Sequence, residues 1–223
     1  ADVRLVTSPA RTDTRERLLR AAMEVFAESG FEAATIREIC RRAHANVAAV
    51  HYHFGDKQRL YSAIFDTLFA LLRQRRGGFP SPKTPPKERL KIYIRALFEE
   101  IFYCDGDAAR CTQLAAIYLA EMARPTEVLD GIVADHMRRD AEELYAIVGS
   151  LLGEAPDSER VIDCAASIVG QILYYYHAAP IISRLHPDRG PVEDRIDELV
   201  DHVWRFSVGG ISVMRQGQGT AGG

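Results

Sequence analysis

Apolar residues recur three and four positions apart along most of the chain, and strict alternation of apolar and polar residues is almost absent. This periodicity predicts an all-α fold of about nine helices, separated by glycine and proline punctuation. Leu18, Leu19, Ala22, Val25 and Phe26 form one stripe over residues 13–29, and Gly30 offers a C-terminal stop. Thr35 followed by Glu38 has the form of a capping box, which would start a second helix at 36–43. Asn46 can cap a third over 47–53. Asp56 can cap a fourth, whose inner face carries Leu60, Tyr61, Ile64, Phe65, Leu68, Leu71 and Leu72.

Beyond a Gly- and Pro-rich loop at 77–86, a fifth helix is expected over 87–104 and a sixth up to 123. Pro125 breaks the pattern, and Thr126 can cap a seventh helix, 127–152. The eighth, 157–179, ends near Pro180 and is apolar nearly all round, so burial on more than one side is expected. The ninth, 192–214, carries Ile196, Leu199, Val200, Val203, Trp204, Phe206 and Ile211. Residues 216–223 are expected to be a disordered tail and residues 1–11 a flexible arm.

Composition removes several classes of function. Hydrophobic residues make up 47% and charged residues 26%, as in ordinary globular domains. No apolar run approaches the roughly 18 residues of a membrane-spanning helix. Residues 1–20 lack the apolar core of a signal peptide, so no membrane partner and a cytoplasmic location are expected. Cys40, Cys104, Cys111 and Cys164 show no CxxC spacing and read as reduced, mostly buried side chains, with Cys104 and Cys111 as the alternative redox pair. There is no Gly-rich phosphate loop, HExxH or GxSxG, and no convincing nucleophile with a base, so no catalytic residue and no cofactor are expected. His51 and His53 fall about 200° apart on a helix and cannot chelate a metal together.

Residues 35–53 contain two short helices separated by about three residues, the arithmetic of a helix-turn-helix whose second helix enters the major groove. Net charge is -3, yet residues 1–60 hold ten basic against eight acidic residues, and the remainder holds eighteen against twenty-three. The first quarter is therefore the part least repelled by phosphate. Small side chains after Asn46 let the backbone approach base edges, and the methyls of Val47 and Ala48 can meet a thymine methyl. Asn46 is either a helix cap or a contact to base or phosphate. His51 can meet a phosphate or a base edge, or simply be solvated. Tyr52 can donate its hydroxyl to a phosphate while its ring packs. Lys57, in the first turn of a helix, opposes the helix dipole, which a nearby phosphate would rationalise. Thr35 and Arg37 stand where backbone N–H groups and a guanidinium can clamp phosphate. Arg41 and Arg42 add charge or are solvated.

The run AESGFEAATIREICRRAHANVAAVHYHFGDKQRLYSAIF resembles the DNA-binding signature of TetR-family regulators. The resemblance covers about Thr14 to Phe65 and rests on Phe26, Gly30, Thr35, Ile36, Ile39, Ala43 and the Tyr52-His53-Phe54 run followed by Gly55, Asp56 and Lys57. His51 departs from it, since a second Tyr is common there, and His44 and Ala45 stand where Gly and a larger aliphatic residue are common. The segment EMARPTEVLDGIVADHMRRDAEELYAIVGSLLG, with Gly170-Gln171 further on, is similar to the C-terminal domain of the CecR-like subgroup.

The resemblance implies a three-helix helix-turn-helix domain over residues 1–61 and a helical ligand-binding and dimerisation domain over 62–215. It implies a homodimer through helices eight and nine that binds double-stranded operator DNA, a palindrome, as a repressor released by a small-molecule effector. Candidate pocket residues are Phe65, Phe69, Phe98, Phe102, Tyr118, Met122, His136, Gln171 and Tyr175, each of which also reads as core. Glu121 and Arg124 can form an ion pair or meet a polar ligand. Two other readings stay open: a DNA-binding regulator controlled by a protein partner or by redox state, and an all-helical enzyme with a pocket assembled from distant residues.

Overall fold

The computed structural model describes residues 13–76, 80–102 and 108–216. They form α1 (Thr14–Ala33), α2 (Ile36–Ala43), α3 (Val47–His53), α4 (Lys57–Arg76), α5 (Pro86–Phe102), α6 (Ala108–Ala123), α7 (Leu129–Ile132), α8 (Arg138–Leu152), α9 (Glu159–His177), α10 (Ala179–Leu185) and α11 (Ile196–Gln216), with no strand among the described residues. The all-α expectation holds, and α2 and α3 have the expected bounds. The flexible arm, the tail after Gln216, part of the 77–86 loop and residues 103–104 of the fifth helix lie outside the described residues.

Three differences from the expected helices have local causes. Gly30 kinks α1 instead of ending it: it takes φ 73° and ψ 172°, and helical turns continue to Ala33. A positive φ is cheap only for glycine, which explains the residue at the kink. The expected seventh helix is interrupted by a π turn at Val133–Met137, between α7 and α8. The expected eighth helix ends at His177, and Pro180 sits in the first turn of α10. A proline there needs no hydrogen-bond donor, so it opens a helix as readily as it closes one. The expected ninth helix opens with a 3-10 turn at Val192–Arg195.

The Cα positions cluster into two compact units. The first comprises residues 13–70 and 108–134, and the second comprises residues 71–102 and 135–216. In the first unit, α1 packs against α2, α3 and α6. Leu18, Ala22, Phe26, Ile39, Val50, Leu60, Ile64, Phe65 and Ile117 are buried there. Tyr61 meets Phe26 and Phe65 edge-on, with ring centres 4.8 and 5.2 Å apart. Residues 108–134, placed by linear order beyond residue 62, thus pack with the helix-turn-helix residues. In the second unit, α5, α8, α9 and α11 close over Leu90, Ile94, Phe98, Ile147, Val148, Val161, Ile168, Ile172, Val200 and Val203. These side chains supply the apolar burial that drives each unit to fold.

Cys40 and Cys164 are free and buried, and burial raises both thiols above their usual range. Cys111, expected to be reduced, is disulfide-bonded. Pairing depends on the separation of Cβ atoms, which residue spacing does not carry. Cys104 lies outside the described residues. No described helix is long and apolar enough to cross a membrane.

Candidate nucleic-acid interface

The helix-turn-helix is built from caps. Thr35 Oγ1 accepts the Glu38 N–H at 3.2 Å and starts α2. Its expected capping-box partner is turned elsewhere, because the Glu38 carboxylate binds Arg41 at 2.6 Å and Arg42 at 2.8 Å. His44 ends α2 in the left-handed region, φ 49° and ψ 47°. A non-glycine residue is uncommon there, and the turn is closed all the same by the His44 N–H to the Arg41 carbonyl and the Ala45 N–H to the Cys40 carbonyl. Asn46 Oδ1 then accepts the Ala49 N–H at 2.8 Å and starts α3. Asn46 is therefore a cap, and its amide nitrogen takes no part in that bond. After α3, Gly55 takes φ 87°, and Asp56 Oδ1 caps α4 through the Arg59 N–H at 2.8 Å.

Along α3, Val50 is buried, Ala49 and His53 are half-buried, and Val47, Ala48, His51 and Tyr52 are exposed. At 100° per residue those four fall within about 140° of arc, so they form one ridge. Tyr52 is 86% exposed, so its ring does not pack as expected; it meets the His53 ring edge-on at 4.9 Å. Its hydroxyl is free to reach a phosphate. The His51 Nδ1 donates to the Gly55 carbonyl at 2.6 Å, since a carbonyl oxygen can only accept.

The basic residues divide into two groups. Arg42 reaches Glu28 at 2.6 Å and Glu24 at 3.8 Å besides Glu38. With Arg41 and Arg42 both donating to it, Glu38 is held far below the ordinary carboxylate range, at about 2. Arg41 is committed to a carboxylate of its own helix, and Arg42 braces α2 against α1. Arg37, in the first turn of α2, is exposed and makes no ion pair among the described residues. Lys57 donates to the Glu32 carbonyl at 3.2 Å and lies 4.5 Å from the centre of the Phe31 ring. Two cations escaped the sequence reading. Arg17 Nε donates to the Ala43 carbonyl at 3.1 Å, closing the end of α2. Arg15 sits over the Phe54 ring at 5.1 Å. No residue spacing signals either contact, because both join α1 to segments some 26 to 39 residues away.

The pocket candidates fall in both units. Phe65, Phe69, Tyr118 and Met122 belong to the first, where Phe65 is core and Met122 is 36% exposed. Phe102, His136, Gln171 and Tyr175 belong to the second. There Phe98, Phe102, Tyr175 and Tyr176 form one aromatic cluster with ring centres about 6 Å apart. Gln171 donates to its own helix at Ser167, and His136 meets Arg73 at 3.2 Å. Glu121 does not pair with Arg124. It is buried and accepts from the Thr126 N–H at 2.8 Å and the Thr126 hydroxyl at 3.0 Å. Burial, followed by the Glu121 charge, raises the Tyr61 phenol. Among the described residues, no group of His, Cys, Asp and Glu could hold a metal ion.

Comparison with known proteins adds sequence and fold neighbours. The profile of "Bacterial regulatory proteins, tetR family" matches residues 18–64. That of "HTH-type transcriptional dual regulator CecR, C-terminal domain" matches residues 86–211. The transcriptional activator FasR of Mycolicibacterium smegmatis is 34% identical over 183 residues, covering 74% of this chain and 82% of FasR. The transcriptional regulator BetI of Rhizobium meliloti is 29% identical over 155 residues, covering 70% of this chain and 73% of BetI. Among solved structures, AibR in complex with isovaleryl coenzyme A and operator DNA superposes with a TM-score of 0.60 at 20% identity, covering 86% of this chain and 98% of AibR. These proteins are regulators of transcription rather than enzymes.

Proposed function

Because this chain belongs to the TetR family of DNA-binding transcriptional regulators, we propose that it is a cytoplasmic repressor released from a palindromic operator by a small-molecule ligand. The observation that carries the proposal is the exposed ridge of Val47, Ala48, His51 and Tyr52 on a capped α3, with uncommitted Arg37 on the preceding helix. On this reading α3 lies in the major groove. Val47, Ala48 and His51 meet base edges, and Thr35, Arg37, Asn46, Tyr52 and Lys57 meet phosphates.

One short helix reads too few base pairs to be selective, so two copies are needed. The expected seam is α9 with α11. α9 exposes Ile162, Ala166, Gly170 and Tyr174, which recur every four residues, and α11 exposes Phe206, Gly209, Gly210 and Val213. An apolar stripe with small residues suits a two-fold interface with a second copy. The ligand site is assigned to the helices after residue 61, with the Phe98, Phe102, Tyr175 and Tyr176 cluster as one wall. This lining suits an apolar molecule with a few polar groups, and an acyl thioester such as the AibR ligand is the first probe to try.

The switch requires a ligand that prefers the DNA-incompetent state. A coupling of about 1–3 kcal/mol lowers operator affinity roughly 5- to 150-fold, and linkage makes operator weaken the ligand by the same factor. The test is ligand affinity with and without saturating operator. Equal affinities would assign control to a protein partner or to redox state. A deletion strain in which target transcripts rise supports repression; a fall would assign activation, the role named for FasR.

A further inference from the structure

We infer that His51 reads the operator as a hydrogen-bond acceptor. It selects an amino base, adenine or cytosine, over a keto base, guanine or thymine, at one position of each half-site. The inference rests on the reading of α3 as the recognition helix, and it chooses between the two contacts open to this side chain.

Gly55 sets the geometry of the turn after α3. Its φ of 87° lies in the region that side chains other than glycine rarely adopt, and its N–H returns to the carbonyls of Val50 and His51, each at 3.1 Å. The turn so formed brings the Gly55 carbonyl to 2.6 Å from His51 Nδ1. A carbonyl oxygen has no hydrogen to give, so Nδ1 carries the proton. A neutral imidazole has one N–H and one bare nitrogen, and the hydrogen bond made by one decides the state of the other. Nε2 is then a bare lone pair on an exposed ring, one helical turn from Val47 and beside Tyr52.

That lone pair limits what His51 can bind. A phosphate oxygen offers only acceptors, so neutral His51 has nothing to give it. Guanine O6 and N7 and thymine O4 are likewise acceptors. The donors on the major-groove floor are the N6 amine of adenine and the N4 amine of cytosine. Tyr52, which has a hydroxyl to donate, is the better phosphate ligand of the two neighbours. The division of labour is base by His51 and backbone by Tyr52.

The experiment is a binding-site selection at pH 8, above the ordinary imidazole range, on the wild-type protein and on His51→Phe. The wild type should return a palindrome with A or C favoured over G or T at one position per half-site. His51→Phe should lose that preference and keep the others. On the wild-type protein, an operator whose amino base is replaced there by purine or 2-pyrimidinone, which lack the amine, should bind about tenfold more weakly per half-site. The same replacement should cost His51→Phe nothing. The analogue measurement needs only folded wild-type protein, so a misfolded variant would not leave the inference unexamined. A palindrome with G or T at the position that His51→Phe releases, or no analogue penalty at any A or C of the half-site, would overturn the inference and leave DNA binding standing. A wild-type selection that enriches no sequence would overturn both.

Discussion

Lys57 donates its ammonium hydrogen to the carbonyl of Glu32 at 3.2 Å and so ties the start of α4 to the end of α1. The same nitrogen lies over the Phe31 ring. These two contacts offset the unfavourable placement of a cation at a helix N-terminus. Lys57→Ala should therefore lower stability by about 1 kcal/mol, seen as a melting temperature lower by several degrees. If Lys57 also meets a phosphate, its removal should reduce the salt slope of operator binding by about one. An unchanged melting temperature would remove the tethering role.

Tyr52→Phe separates binding from folding. The ring is nearly free of the protein, so the melting temperature should not move. Operator affinity should fall about 10-fold or more, the worth of a hydrogen bond to a charged group. The loss should be the same on every operator variant, since a phosphate carries no sequence. Unchanged affinity in gel shifts would remove the phosphate contact.

Acid should weaken the DNA-binding unit through Glu38 and Glu28. Both carboxyls are held below the ordinary value of 4.5 by arginine hydrogen bonds, Glu38 at about 2. A carboxyl depressed on folding stabilises the native state above its unfolded value, and the stabilisation is lost as pH falls through the folded one. Melting temperature should decline between about pH 4.5 and about pH 2, less steeply in Glu38→Gln. Glu28 is exposed and Glu38 partly so, and high salt should blunt the effect. Identical pH profiles for the two proteins would contradict the assignment.

Glu121 gathers two donors, the Thr126 backbone N–H and the Thr126 hydroxyl, inside the first unit. Glu121→Ala leaves both half-buried donors without this acceptor and empties a buried site, and should cost about 2–4 kcal/mol in denaturant unfolding. Glu121→Gln keeps an acceptor and should cost less. Equal losses in the two variants would show that volume, not hydrogen bonding, is what the site needs.

Ala166→Glu places a charge in the exposed stripe of α9. It should split the dimer in sedimentation and abolish tight operator binding, because linked half-sites supply the avidity. A wild-type chain that sediments as a monomer at micromolar concentration would contradict the seam.

The legible features of this chain are local. Thr35, Asn46 and Asp56 are caps whose bonds span three residues, so α2, α3 and the start of α4 could be read from spacing. The ridge on α3 follows from helical period alone. What could not be read joins distant segments: Arg42 to Glu28, Arg17 to Ala43, Glu121 to Tyr61, and α6 to α1. Arg42 looks like a phosphate ligand in sequence, and only the packing of α2 on α1 reveals the α1 carboxylates that hold it, whereas Arg41 pairs with Glu38 within its own helix. His51 was legible as a candidate but not as an acceptor, because its tautomer is set by the carbonyl of a turn.

Every other part of the proposed function depends on sequence-specific DNA binding by a dimer. The most direct test is a fluorescence-anisotropy competition at physiological salt, between the most enriched palindrome from a binding-site selection and the same bases shuffled. The account predicts saturation at two chains per duplex and an affinity ratio of about 10³ or more. Equal affinities for the two duplexes would contradict it.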